Sequence, residues 1–107
     1  MPTITANLTS TDPKAPVWEI VHGPTRLAVT FLRAAGDAVA AHEKWQVTIS
    51  LPVLDIHFAE AGATRTAAFD KALEALRVNG VRRGSPVLDL RAIQAELVRK
   101  QAFRAPV

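Results

Sequence analysis

The chain has no cysteine among its 107 residues, which excludes disulfide bonds, thiolate catalysis and zinc sites built on cysteine. It also lacks a long apolar run, because the stretch 27–41 is interrupted by Arg33 and Asp37 and is too short to span a bilayer. The first residues have neither the basic start nor the apolar stretch of a signal peptide. From these absences we expect a cytoplasmic protein with no membrane partner.

Motifs that would identify an enzyme class are missing as well. There is no glycine-rich phosphate loop, no nucleophile elbow and no spacing typical of zinc ligands. We therefore predict no cofactor, no metal site and no catalytic residue, and no motif names an activity.

The composition is that of an ordinary globular protein. Apolar residues make up 49% and charged residues 21% of the chain, a balance that supports one modest core. Much alanine, arginine and valine suits a bacterial, phage or plasmid source. We predict an extended N-terminal arm over residues 1–16, rich in Thr, Ser and Pro, followed by a single α+β domain over residues 17–107.

Alternating apolar residues predict a small antiparallel sheet of three or four strands within residues 17–58. The clearest strand is 45–51, whose odd-numbered residues are apolar and whose even-numbered residues are polar. Residues 17–22 and 26–33 are interpreted as a hairpin, although 26–33 also fits a helix. Residues 37–44 are left as either a helix or an irregular connection.

Two helices are predicted after the sheet. The first, at 64–79, has Thr64 as N-cap and apolar residues at helical spacing, and Gly80 is expected to end it in a left-handed conformation with Val81 packed on Leu76. The second lies at about 86–103 and starts at Pro86 or with Asp89 as its cap.

The apolar stripe of the second helix, Leu90, Ile93 and Leu97, is narrow. Three apolar side chains bury little area alone, so this helix packs beside the first or against a second chain, and a homodimer is one expectation. Residues 103–107 are expected to fray.

Positive charge is concentrated near the end of the chain. Residues 1–76 have a net charge of −2 and residues 77–107 a net charge of +5. Such a segment attracts polyanions and acidic protein surfaces. The predicted binding residues are Arg77, Arg82, Arg83, Arg91, Arg99, Lys100 and Arg104.

Other features are weaker. Asp55 and His57 share a strand face, where a carboxylate and an imidazole could cooperate in general acid–base chemistry. The uncharged face formed by Gln46, Thr48 and Ser50 could hydrogen-bond a ligand or, on an edge strand, pair with a partner's strand. Trp18 and Trp45 are interpreted as core rather than as stacking platforms for bases.

The function expected from these observations is non-catalytic binding. We predict a small regulatory protein that contacts nucleic acid or a nucleoprotein through the basic segment. The alternative is a protein–protein interaction module, such as an inhibitor, immunity factor or accessory subunit, that binds an acidic protein surface. A small enzyme that uses Asp55 and His57 ranks below both.

Overall fold

In the computed structural model, which describes residues 3–12, 14–34 and 44–104, one antiparallel sheet is covered on one face by two helices. The five strands pair in chain order and are β1 (Ile4–Ser10), β2 (Val17–His22), β3 (Thr25–Arg33), β4 (Trp45–Leu51) and β5 (Ile56–Gly62). The helices α1 (Arg65–Asn79) and α2 (Leu90–Arg99) follow the sheet, and 3-10 turns lie at Pro52–Leu54 and Val81–Arg83.

Alternation of side chains explains which face is buried. In β4 the odd-numbered residues from Trp45 to Leu51 point into the core, while Gln46 is exposed. The register continues this face across the sheet, because Val29 lies opposite Ile49 and Ile49 lies opposite Phe58. Helix α1 packs on β4 and β5, and α2 packs on β1.

The α+β class is confirmed, but the predicted number of strands is wrong. The additional strand is β1, which lies in the predicted N-terminal arm and pairs with β2. Its Ala6 lies opposite Ile20 and is buried, whereas most other side chains of the strand are exposed. Because this edge strand buries so few side chains, its sequence shows only a weak alternation of apolar residues and did not predict a strand. The strand interpretation of 26–33 is confirmed, and residues 35–43 of the ambiguous connection lie outside the described residues.

Helix α1 agrees with the prediction at its start. The Thr64 side chain accepts a hydrogen bond from the backbone N–H of Ala67 at 3.1 Å. The helix ends at Asn79 as predicted, but the predicted cap geometry is wrong, because Gly80 is right-handed, with φ −60°, and Val81 is 63% exposed. A side chain at residue 80 would lie 2.8 Å from Leu76 Cδ1, so close packing requires this glycine. In the loop that follows α1, it is Gly84 that is left-handed, with φ 97°.

Helix α2 is shorter than predicted and begins after Asp89, whose carboxylate accepts from the backbone N–H of Ala92. Its Ile93 and Leu97 are buried in the core of their own chain, so this stripe needs no second chain to cover it. Homodimerisation stays a prediction. Of the described helices, neither is long and apolar enough to cross a bilayer.

The segment after α2 is more ordered than expected. The Phe103 ring lies 5.8 Å from that of Phe31 and 5.0 Å from that of Phe69, measured between centroids. The predicted fraying is therefore wrong at Phe103, and residues 105–107 lie outside the described part of the chain. By this contact the C-terminal segment closes one end of the core.

Candidate functional site

The sheet and helices give the molecule two different ends. The turn end holds the β2–β3 turn, the 3-10 turn Pro52–Leu54 and the α1–α2 loop. The backbone N–H of Asp89 donates to His22 Nε2 at 2.9 Å and thereby attaches the start of α2 to this end. The opposite end holds the start of β2 and the residues that follow α2, because Pro16 and Trp18 line a cavity together with Ala102.

The predicted basic residues are divided between these ends. Arg77 is in the last turn of α1, and the 3-10 turn that follows contains Arg82 and Arg83. Arg91 is in the first turn of α2. The remaining residues, Arg99, Lys100 and Arg104, lie at or after the end of α2. The structure therefore spreads the basic segment along the molecule.

Two of these cations already have carboxylate partners on their own helices. Arg77 Nη2 lies 2.5 Å from Glu74 Oε1, and Arg99 Nη2 lies 2.6 Å from Glu96 Oε1. The hydrogen bond from Arg77 lowers the pKa of the Glu74 carboxyl, and that from Arg99 lowers the pKa of Glu96. Their positive charges are thus partly neutralised before any partner arrives.

The loop arginines are arranged differently. Arg83 lies over the Phe58 ring, with Cζ 5.1 Å from the ring centroid, and its Nη1 donates to the His57 carbonyl oxygen at 3.3 Å. Within the described residues, Arg82 takes part in no ion pair, and it is exposed. Gly84 follows directly and turns the chain. The loop therefore presents two adjacent cations at the turn end.

A groove of about 490 Å³ lies beside this loop and is named here the turn-end groove. Exposed apolar side chains surround it, with Val53 91% and Leu54 44% exposed. Val87, 87% exposed, lies one residue beyond the groove residue Pro86. The lining residues are Pro24, Thr25, Arg26, Leu51, Val53, Leu54, Gly84 and Pro86.

Among the lining residues that the structure describes, the groove has one cation and no anion. Arg26 contributes the cation from the start of β3, and Arg82 and Arg83 precede the lining residue Gly84. Sequence reasoning missed Arg26 because it belongs to the acidic first part of the chain. Only the hairpin turn at Gly23 brings it to the same end as the loop.

Asp55 and His57 form a hydrogen-bonded group with Ser50. His57 Nε2 lies 3.0 Å from Asp55 Oδ1, and His57 Nδ1 lies 3.0 Å from Ser50 Oγ. The side chains are open to solvent, however, at 53% for His57 and 95% for Asp55. General acid–base catalysis gains from a site that excludes water, and this burial is missing here. The described residues also contain no group of three or more metal-ligating side chains.

The proposed addition of a strand at Gln46, Thr48 and Ser50 is wrong. These residues belong to β4, whose two edges are hydrogen-bonded to β3 and β5. The core interpretation of the tryptophans is confirmed, since Trp45 is buried and the partly buried Trp18 packs against the core.

One buried cation was missed entirely. Arg65, in the first turn of α1, is only 5% exposed and lines a cavity of about 230 Å³ at the opposite end. Its Nη1 donates to the carbonyl oxygens of Ala102 at 3.1 Å and Arg104 at 3.0 Å. The sequence contains one signal for it, because the start of a helix normally favours an anion over a cation.

No protein-family model, curated protein or solved structure matches this chain. The features that bear on its function are the side chains at the two ends of the molecule.

Proposed function

We propose that this protein is a non-catalytic interaction module, and that its turn-end groove binds a segment of a partner protein that carries both apolar and acidic side chains. Arg26, Arg82 and Arg83 supply the positive charge, and Val53 and Leu54 supply the apolar contact. The observation that carries the proposal is the exposure of large apolar side chains beside an apolar groove with cations at its margin.

The apolar character of the turn end favours a protein partner. Exposed apolar side chains that cluster rather than occur singly are typical of protein interaction sites. Val53 is 91% exposed on a 3-10 turn, so a partner that covers it removes nearly its whole side chain from water. At about 25 cal/mol per Å² of apolar surface, such contacts favour binding in a way that a phosphate backbone does not exploit.

The cations decide what kind of protein segment fits. Arginine binds carboxylates through paired N–H groups and is common at protein interfaces. Arg83 is held on the Phe58 ring, so its orientation is restricted before binding. An acidic residue next to an apolar one in the partner would satisfy both features of the groove.

Nucleic-acid binding by the basic segment is the competing proposal. It is supported by Arg82, Arg91 and Lys100, which take part in no ion pair of the described residues. Against it, carboxylates already pair with Arg77 and Arg99. Cooperative phosphate binding needs several cations along one track, and the cations here are divided between two ends.

Selection from a displayed library of random 16-residue peptides tests the proposal. We expect enrichment of peptides that combine acidic with large apolar residues, and at least a tenfold weaker binding of those peptides to Val53→Asp and to Arg82→Gln/Arg83→Gln. The matched control is Arg91→Gln, an exposed arginine in α2 outside the groove, which should bind normally.

Two outcomes would overturn the proposal. One is a selection without acidic-apolar enrichment, or with peptides that bind Val53→Asp as well as the original protein. The other is tight, salt-sensitive binding of a 20-base-pair DNA duplex that survives Val53→Asp and weakens with Arg82→Gln/Arg83→Gln. That second result would establish the nucleic-acid function instead.

A further inference from the structure

We propose that the cavity beside Arg65 binds the carboxylate of a small organic acid with a short apolar tail. The site lies at the opposite end from the turn-end groove and does not depend on the function proposed for that groove. It is named here the Arg65 cavity, and its walls are Leu8, Thr11, Pro16, Trp18, Arg65, Gln101, Ala102 and Arg104.

Arg65 carries a buried positive charge. Arginine stays protonated in proteins, and a buried ion without a counter-charge is strongly disfavoured. Arg65 is 95% buried, and no carboxylate of the described residues lies within 4.0 Å of its guanidinium. The carbonyl groups of Ala102 and Arg104 supply only partial negative charge. A bound anion would complete the charge balance.

The Arg65 guanidinium is held in one orientation. Its Cζ lies 4.4 Å from the Trp45 ring centroid and 5.3 Å from that of Phe31, so two aromatic rings hold it in place. Nη1 is used by the two backbone carbonyls, whereas Nε is buried without a hydrogen-bond partner. Nη2 donates no hydrogen bond within the described part of the chain. A carboxylate in the cavity would give this oriented guanidinium the counter-charge that the backbone carbonyls lack.

The other walls of the Arg65 cavity combine apolar and polar side chains. Leu8, Pro16 and Trp18 make one side of the cavity apolar, while Gln101 and Arg104 add polar groups beside the guanidinium. A volume of about 230 Å³ suits an acid of a few carbon atoms. Phosphate would place a larger charge against apolar walls, so the walls select a monocarboxylate.

The position of the two tryptophans allows a direct test. Trp18 lines the cavity and Trp45 stacks on Arg65, and the chain contains no other tryptophan. We would titrate the full chain with sodium butyrate at constant ionic strength, with sodium chloride as the reference salt, and record tryptophan emission. A saturable change with butyrate, absent with chloride, is expected.

Variants assign that change to the site. Arg65→Lys keeps the charge but loses the planar fork, and should weaken butyrate binding at least tenfold. Leu8→Phe enlarges a side chain that lines the cavity and leaves Arg65 unchanged, so it keeps the test decisive if Arg65→Lys folds poorly. Arg91→Lys, an exposed arginine in α2, should bind butyrate like the original protein.

Several results would overturn the inference. They are an emission change that does not saturate, one that persists in Leu8→Phe, and saturable binding of inorganic phosphate without binding of butyrate. Binding of butyrate to Asp37→Asn or Glu43→Gln but not to the original protein would show that a carboxylate of this chain already pairs with Arg65, and the ligand proposal would be wrong.

Discussion

The two ends of this molecule use arginine in contrasting ways. At the turn end, Arg82 and Arg83 lie on an exposed loop beside apolar side chains that are exposed to solvent. At the opposite end, Arg65 is buried between two aromatic rings and Phe103 closes the core. An exposed cation stays solvated and is available to a partner, whereas a buried one requires its surroundings to supply negative charge. The number of cations in a segment therefore says less about binding than the environment of each cation.

The largest loss of stability is expected from Phe103→Ala, at the end opposite the turn-end groove. This change removes the ring that packs on Phe31 and Phe69, and it loosens the segment whose carbonyl groups accept from Arg65. Loss of a packed phenylalanine costs about 3 kcal/mol of unfolding free energy. Urea denaturation, followed by circular dichroism, measures it.

Val87→Ala is the matched change at the turn end. Because Val87 is 87% exposed, its truncation should change the unfolding free energy by less than about 0.5 kcal/mol. Equal destabilisation by the two substitutions would show that the turn end is packed as tightly as the opposite end, and the comparison would fail.

Much of the sheet and of α1 could be predicted because their apolar residues recur at regular spacing. The strand β4 alternates without exception, and α1 has both a capping threonine and a helical stripe. The strand β1 could not be predicted in the same way, since as an edge strand it buries Ala6 and leaves Asn7 and Leu8 exposed. Apolar periodicity in a sequence reflects which side chains are buried, so a strand with few buried side chains shows only a weak periodic pattern.

The candidate sites were harder to predict because they depend on contacts between distant parts of the chain. The charge asymmetry pointed to Arg82 and Arg83, but Arg26 joins them only through the β2–β3 hairpin. Arg65 meets Ala102, 37 positions away, and no local pattern encodes that meeting. The sequence showed that the last part of the chain is basic. Which of the basic side chains lie on the same surface depends on the fold.

An intermediate effect is expected at His22, which attaches α2 to the turn end. The side chain is 7% exposed, and its Nε2 accepts from the backbone N–H of Asp89. His22→Leu leaves that donor without an acceptor, which costs about 1–3 kcal/mol of unfolding free energy. Amide hydrogen exchange at Asp89 should also accelerate.

Two further variants make the His22 prediction specific. His22→Gln restores an acceptor and should recover part of the lost stability. His57→Leu, on the exposed sheet face, should have little effect because its hydrogen bonds are open to solvent. Normal exchange at Asp89 in His22→Leu would show that this hydrogen bond does not hold the start of α2.

A small, pH-dependent effect is expected from Glu74→Gln at the turn end. The hydrogen bond from Arg77 lowers the pKa of Glu74 in the folded protein, so its contribution to stability is present above the pKa of the unfolded chain, about 4.3, and is lost as the pH falls through the folded value. The glutamine variant lacks this contribution at every pH. The difference between the two proteins should therefore be visible at pH 7 in urea denaturation and should shrink at pH 3. A difference that grows at pH 3 would contradict the pairing.

The same variant also releases Arg77, so it should raise the affinity for duplex DNA only if the basic segment binds polyanions. Unchanged DNA affinity would favour the apolar groove as the functional surface of the turn end.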